Sequence, residues 1–258
     1  MSVQTSPPVV LPAGNPSAWT GPTGTNTYLL LGAVPALVDA GIGRPEHLQA
    51  IERALDGRAL ELILITHAHP DHVGGLPALM DRWPRARIVN APAAPCRDGD
   101  AVVAGDTVLR AVHTPGHAPD HCCFLDEARL DLYCGDLARE GGTVVIPARA
   151  GGDLAQYLAS LRKVRQLQPQ RLLPGHGPII DDPQAVISRY LRHRLDRERQ
   201  IIEAVQAGCS TPDAIARRIY GELPERLQTA AEDTVLAHLR KLESEGLAPT
   251  PPQSQSAS

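Results

Sequence analysis

A seven-residue apolar run, LELILIT (60–66), ends directly in HAHPDH (67–72). An unbroken apolar run of that length reads as a strand buried on both faces, which demands layers on either side of its sheet. The hexapeptide after it packs three histidines and an aspartate into six residues. Polar side chains that dense do not serve a core. The chain is therefore expected to bury a central strand and to open a polar site where that strand ends, as α/β folds do.

Imidazole and carboxylate together suit zinc and its neighbours. On a strand-to-loop turn alternate residues point one way. His67 and His69 can then grip one ion while Asp71 and His72 reach a second, with Pro70 stiffening the turn. Two further histidines recur in matching settings. Pro115-Gly116-His117 follows a strand expected at 107–113, and Pro174-Gly175-His176 follows the short strand RLLP (171–174). Asp136, in YCGD, repeats the theme with a carboxylate. All of these segments can converge at one edge of a sheet sandwich. His47, His113, His193 and His238 stand outside any motif and are expected to be structural.

Strands and helices interleave along the rest of the chain. Strands are expected at 27–31, 36–40, 60–66, 86–90, 107–113, 121–125, 130–134 and 171–174. Helices are expected at 45–56, 74–82 and 153–167. Residues 1–24, rich in Pro, Gly, Ser and Thr, read as an extended cover. After residue 183 the pattern turns helical. A long Arg-rich helix covers 184–207, a second starts at Pro212 behind Ser210 or Thr211, and a third covers roughly 228–245. The tail from 249 to 258 is low in apolar content and reads as disordered.

At 258 residues and 43 % hydrophobic content the chain can bury one large core, or one core and a small second one. A formal net charge of −4 excludes a whole-molecule basic field for nucleic acid. The N-terminus lacks a charged n-region and an apolar h-region, and no window approaches a membrane span. Five cysteines, an odd number without CxxC spacing, read as free thiols of a reducing cytoplasm.

The order of these residues resembles the metallo-β-lactamase-fold hydrolases, whose HxHxDH signature HAHPDH matches. The resemblance implies an α/β fold, a four-layer αβ/βα sandwich with a two-metal site at the edge of its sheets. It assigns His67, His69 and His117 to one Zn2+ and Asp71, His72 and His176 to a second, with Asp136 bridging both. Mn2+ or Fe2+ are alternatives. A closer resemblance, to the β-lactamase-like protein 2 family, rests on GTNTYLL (24–30), HTPGHAPDH (113–121), CGD (134–136), PGHGP (174–178) and RHRLDRERQI (192–201). The segment from Ile219 to Gly246 resembles that family's winged-helix domain. The expected division is an extended segment at 1–24, a catalytic domain with linker helix at 25–198, a winged-helix-like domain at 199–248, and the tail. Departures are Asp39-Ala40-Gly41 for a common DTG, Ala68 for a Thr, and Cys134 for a Ser or Thr. None removes a ligand.

The implied activity is hydrolysis by a hydroxide shared between two metals, because zinc brings the pKa of bound water to about 7. Asp71 would orient the nucleophile or move its proton, Asp39 would fix a ligand histidine's tautomer, and His121 would support the site or assist a leaving group. Fold does not choose a substrate. The leading expectation is an ester-like or thioester-like small molecule. The alternative is single-stranded RNA, since animal members of the resembled family are associated with its cleavage. For that substrate the arginines of RYLRHRLDRER (189–199) would supply an anion-facing helix. A third reading, a non-catalytic regulator binding nucleic acid through its winged helix, is opposed by the complete ligand set. Duplex DNA is not expected, because residues 200–248 hold five basic side chains against eight acidic ones. That domain is expected to wall the active-site cleft or to mediate contacts.

Overall fold

The computed structural model describes residues 6–90 and 95–247. The 249–258 tail and the first five residues lie outside the described residues. Two mixed five-stranded sheets form the centre. The first runs in the order β1 (Val9–Pro12), β2 (Asn26–Leu30), β3 (Ala36–Val38), β4 (Leu62–Leu64), β5 (Arg87–Val89). The second comprises β6 (Ala101–Ala104), β7 (Thr107–His113), β8 (Cys122–Asp126), β9 (Asp131–Gly135) and β10 (Arg171–Pro174), in the order β10-β9-β8-β7-β6.

Parallel neighbours need crossovers, and each crossover here is helical. Helix α1 (Pro45–Leu55) joins β3 to β4. Helices α2 (Pro70–Val73) and α3 (Leu76–Arg82) join β4 to β5. Helix α4 (Leu154–Leu167) joins β9 to β10. The remaining pairs are antiparallel.

The period-2 alternation of each strand builds the layers. Tyr28, Leu30, Val38, Leu62 and Leu64 point inward against Leu109, Phe124, Tyr133 and Leu173 of the other sheet. Their neighbours Leu29, Leu37 and Ile63 point outward against Ile51 and Leu55 of α1 and Leu79 of α3. On the far side Cys123, Leu125, Leu132, Cys134 and Leu172 pack under α4 and the helix that follows β10. This is the four-layer αβ/βα sandwich, and it explains why the strands read as unbroken apolar runs. All five cysteines are free, and Cys134 is a packing residue.

Helix α5 (Pro183–Gln206) is capped by Asp182, which accepts the Ala185 N–H at 3.0 Å. Its first half packs on α4, while Ile201, Ala204 and Val205 join Ile215, Ala216 and Val235 in a separate small core. That core is completed by α6 (Pro212–Tyr220), which Thr211 caps, and α7 (Glu225–Ser244). A domain boundary at 198–199 thus falls inside a continuous helix.

Four expectations need correction. The cover at 1–24 contains strand β1, whose edge position tolerates Pro12. Strand β6 is an unforeseen edge strand. The helix expected at 74–82 begins at Leu76, with Pro77 in its first turn, and an unforeseen single-turn helix opened by Pro70 precedes it. Helix α7 starts at Glu225, three residues earlier than its apolar stripe suggests.

Phe124, the chain's one phenylalanine, lies fully buried between the two sheets. Truncation to Ala should cost about 3–5 kcal/mol of stability. Denaturant unfolding followed by circular dichroism would register it as a lowered midpoint with an unchanged slope.

Candidate metal centre

The ends of four strands meet at one edge of the sandwich. Beyond β4 the chain enters Thr66, His67 and His69, and α2 then carries Asp71 and His72. The loop after β7 brings His117, Asp136 follows directly on β9, and His176 lies two residues past the end of β10. These seven residues, all named by the sequence, form two adjoining groups. His67, His69, His117 and Asp136 make one, and Asp71, His72 and His176 make the other; within each, one donor atom per residue lies within 4.8 Å of the rest.

The Pro-Gly turns are required by close approach. A Cβ on Gly175 would lie 2.6 Å from His72 Cε1 and 2.9 Å from Asp136 Oδ1. At Gly116, with φ +136°, a Cβ would lie 2.3 Å from the backbone of Tyr157.

Hydrogen bonds to surrounding residues set the tautomers. Asp39, buried and held at φ +62°, accepts the Thr66 N–H at 2.8 Å and the Thr66 hydroxyl at 3.0 Å. It also accepts His72 Nδ1–H at 2.7 Å, which leaves the buried His72 Nε2 without a hydrogen-bond partner. His117 Nδ1–H donates to the Val145 carbonyl at 2.8 Å, so Nε2 presents a lone pair. The Thr66 hydroxyl has given its proton to Asp39 and accepts from His67 Nδ1–H at 3.1 Å, so His67 Nε2 presents one too. Both of those nitrogens sit 2.9 Å from His69 Nδ1. A single proton on His69 can satisfy one of them and not the other.

That lone-pair crowding is what a cation relieves, and the neutral imidazole and carboxylate donors match a borderline divalent ion. Charge follows the same division. Burial, reinforced by neighbouring histidines, holds His67 and His69 below the ordinary imidazole range. Burial alone would raise Asp136, but His72 and His176 outweigh it and hold the carboxyl well below the usual range. Burial likewise opposes charge on His176, yet Asp136 and Asp71 carry it up to about 9. A cation in the second group would stand in for protons held there.

His121 is fully buried and burial pushes it down to about 3. Its Nδ1 meets the Thr114 hydroxyl at 2.9 Å and its Nε2 accepts the Asp136 N–H at 3.2 Å. It is spent on holding the Asp136 backbone. The lone histidines behave otherwise: His47 bonds the Thr27 hydroxyl at 2.8 Å, and His238 lies wholly buried between helices.

Several contributors escaped the motif reading. Thr25 donates to Asp71 Oδ2 at 3.2 Å. Asn26 Nδ2 ties the Pro174 and Gly177 carbonyls at 3.1 and 2.8 Å, and Tyr28 reaches Pro174 at 2.8 Å. The GTNTYLL stretch therefore holds the His176 loop, a signal present in the sequence without its purpose.

The group opens into a cavity of about 350 Å³. Its walls come from Trp19, the 138–150 segment and α7. The latter contributes Arg226, Thr229, Ala230 and Asp233, spaced i, i+3, i+4, i+7 on one helical face. The C-terminal domain does wall the cleft. The 189–199 arginines do not line it. Arg189 pairs with Glu140, Arg194 is buried, Arg197 lies over the Tyr220 ring at 4.2 Å, and Arg199 pairs with Asp196. No helix among the described residues is long and apolar enough to cross a membrane.

With this geometry the class is defined. The metallo-beta-lactamase superfamily model matches residues 20–95 and 91–176, and the beta-lactamase associated winged helix domain matches residues 211–250. The chain belongs to the metallo-beta-lactamase superfamily of hydrolases, in a form that carries that winged helix. Among named relatives it is 38 % identical to the lactamase-like protein vrtG of Penicillium aethiopicum, over 87 % of this chain and 77 % of that one. It is 34 % identical to the beta-lactamase-like protein 2 homolog of Drosophila melanogaster, over 90 % and 86 %. An atrochrysone carboxyl ACP thioesterase of Aspergillus fumigatus is also 34 % identical, over 78 % and 70 %. A solved beta-lactamase domain protein from Burkholderia ambifaria superposes with TM-score 0.77 at 25 % identity, over 93 % of this chain and 86 % of that one. A more distant neighbour, solved in a di-iron-bound form, has TM-score 0.56 at 28 % identity, over 70 % and 96 %.

The Asp39 carboxylate orients His72 without belonging to either ligand group. Asp39→Asn should weaken metal retention about 10–100-fold. Competition with a chromogenic chelator would measure it.

Proposed function

We propose that this protein is a dinuclear zinc hydrolase of ester-like or thioester-like small molecules. The observation that carries the reading is the pair of adjoining ligand groups at the floor of a small, largely apolar-walled cavity. His67, His69 and His117 would hold one ion and Asp71, His72 and His176 the other, with Asp136, in contact with both sets, between them. Iron is the alternative metal, favoured by the di-iron neighbour. Bound, such ions supply an activated water at neutral pH and charge stabilisation at the reacting carbonyl.

The chain's own residues do the rest. Asp71, partly exposed and bonded to Thr25 and His176, is the group on the cavity floor able to take and return a proton. His121 positions Asp136 and stays neutral. The apolar wall of Val144, Val145 and Pro147 excludes water from the acyl group. The thioesterase relative supports a carbonyl substrate. A cytoplasmic setting fits the five free thiols. The single-stranded RNA reading loses its intended support, because the 189–199 arginines are engaged in packing and ion pairs or lie away from the cavity.

Dialysis against a chelator should abolish hydrolysis of an acyl thioester, and Zn2+ should restore it. Asp136→Ala should lose bound metal and at least ~10³-fold in kcat/KM together, because both ligand groups contact its carboxylate. Full activity in that variant, with metal content measured by emission spectroscopy, would overturn the assignment.

A further inference from the structure

The face of α7 over the cavity carries one cation that the protein itself does not use. Arg226 is exposed, lines the cavity, and has no hydrogen bond or ion pair among the described residues. The other charged residue on that face, Asp233, is ion-paired with Arg149 at 2.7 Å. Asp71 and Asp136 belong to the ligand groups. A second cation, Arg139, lines the same cavity; it donates to the Trp19 carbonyl at 2.5 Å, and its buried Nε has no partner. The outer cavity therefore presents two guanidinium groups, with its lining carboxylates confined to the floor or held in an ion pair.

The α7 face is also fixed in place. Arg149 binds both Asp233 and Glu232, and Arg240 donates to the Ala148 carbonyl at 2.5 Å. Arg226 is thus presented by a docked helix to a cavity whose remaining wall is apolar and includes the Trp19 side of the mouth. A guanidinium offers a forked donor pair that matches a carboxylate or a phosphate.

We propose that the substrate carries an anionic group remote from its scissile bond, a carboxylate or a phosphate, and that Arg226 binds it as the specificity-determining residue. The inference rests on the hydrolase reading above. Trp19 and the apolar wall take the body of the substrate, and the acyl carbon lies over the ligand groups. Water adds its oxygen to that carbon, the bond to the leaving oxygen or sulfur breaks, and the leaving atom takes the proton. A single anion fits better than a polyanion. Strand binding uses a basic groove that tracks successive phosphates, whereas this cavity has the size of a small-molecule site and one unpaired arginine.

The test compares mono(4-nitrophenyl) glutarate with its methyl ester on zinc-loaded full-length protein. Calorimetric titration of glutarate and of inorganic phosphate runs alongside. Wild type should prefer the acid, and Arg226→Ala should lower the acid-to-methyl-ester ratio of kcat/KM about tenfold or more, through KM. Arg226→Lys should restore part of the ratio, and Arg226→Ala should weaken the titrated anion by a similar factor. The two anions separate a carboxylate ligand from a phosphate one. Anion binding that depends on Arg226 without turnover of either ester would sustain this inference and sink the reaction. Equal turnover of both esters, with anion binding indifferent to Arg226, would overturn the inference and keep the reaction. Single-stranded RNA cleavage lost in Arg226→Ala, with no ester preference, would assign the arginine to a polynucleotide and overturn it as well.

Discussion

Two imidazole lone pairs, from His67 and His117, face His69 Nδ1 at 2.9 Å, and no placement of protons satisfies all three nitrogens. The surrounding fold enforces this. Thr66 and Asp39 fix the tautomers of His67 and His72, and Val145 fixes that of His117. Each of those supports is buried or part of the backbone, so the donors cannot rotate away from one another. Strand ends, Pro-Gly turns and the polar residues behind the ligands all follow from keeping that unfavourable arrangement assembled. Elsewhere in the molecule such crowding would be a defect; here it defines a cation site.

The sandwich makes the arrangement affordable in conformational terms. Tyr28, Phe124 and Tyr133 fill the space between the sheets, and Leu29, Leu37 and Ile63 fill the space beneath α1 and α3. With both faces of each sheet committed to packing, the strand ends are where polar side chains can gather. β4 runs parallel to β3, and β9 to β10, and the residues that follow β4, β9 and β10 meet at one edge, where Asp136 lies 3.6 Å from His72 and 3.3 Å from His176. His117 arrives from β7 across the second sheet.

Much of this was legible in the chain itself. LELILIT gave away a doubly buried strand, and HAHPDH, His117, Asp136 and His176 named, by spacing and by resemblance, the residues that the two donor groups bring together. What stayed hidden depends on partners distant in sequence. Asn26 acts on the Gly177 carbonyl about 150 residues away, and Arg226 lines the same cavity as His69. The arginines of 189–199 misled for the same reason. Periodicity shows that a helix is charged but not which neighbours receive the charge. Strands β1 and β6 escaped because edge strands carry proline or alternate weakly, and neither signal separates them from loop.

Arg194 shows what that helix does instead. It is buried, donates to the Val144 carbonyl, and lies 5.4 Å from the Tyr157 ring centre. The Tyr157 hydroxyl donates to Leu137, the residue after Asp136, at 2.7 Å, and its backbone closes against Gly116, the residue before His117. Val144 in turn precedes Val145, which fixes the His117 tautomer. One guanidinium on α5 thus touches the supports of two ligands and a wall of the cavity. The same helix continues into the small core that carries α7 and Arg226. A charged side chain at such a position costs desolvation that only several partners offset. Its placement makes sense if the C-terminal domain must hold a fixed pose over the metal groups, so that substrate selection at α7 and chemistry at the strand ends refer to one rigid frame.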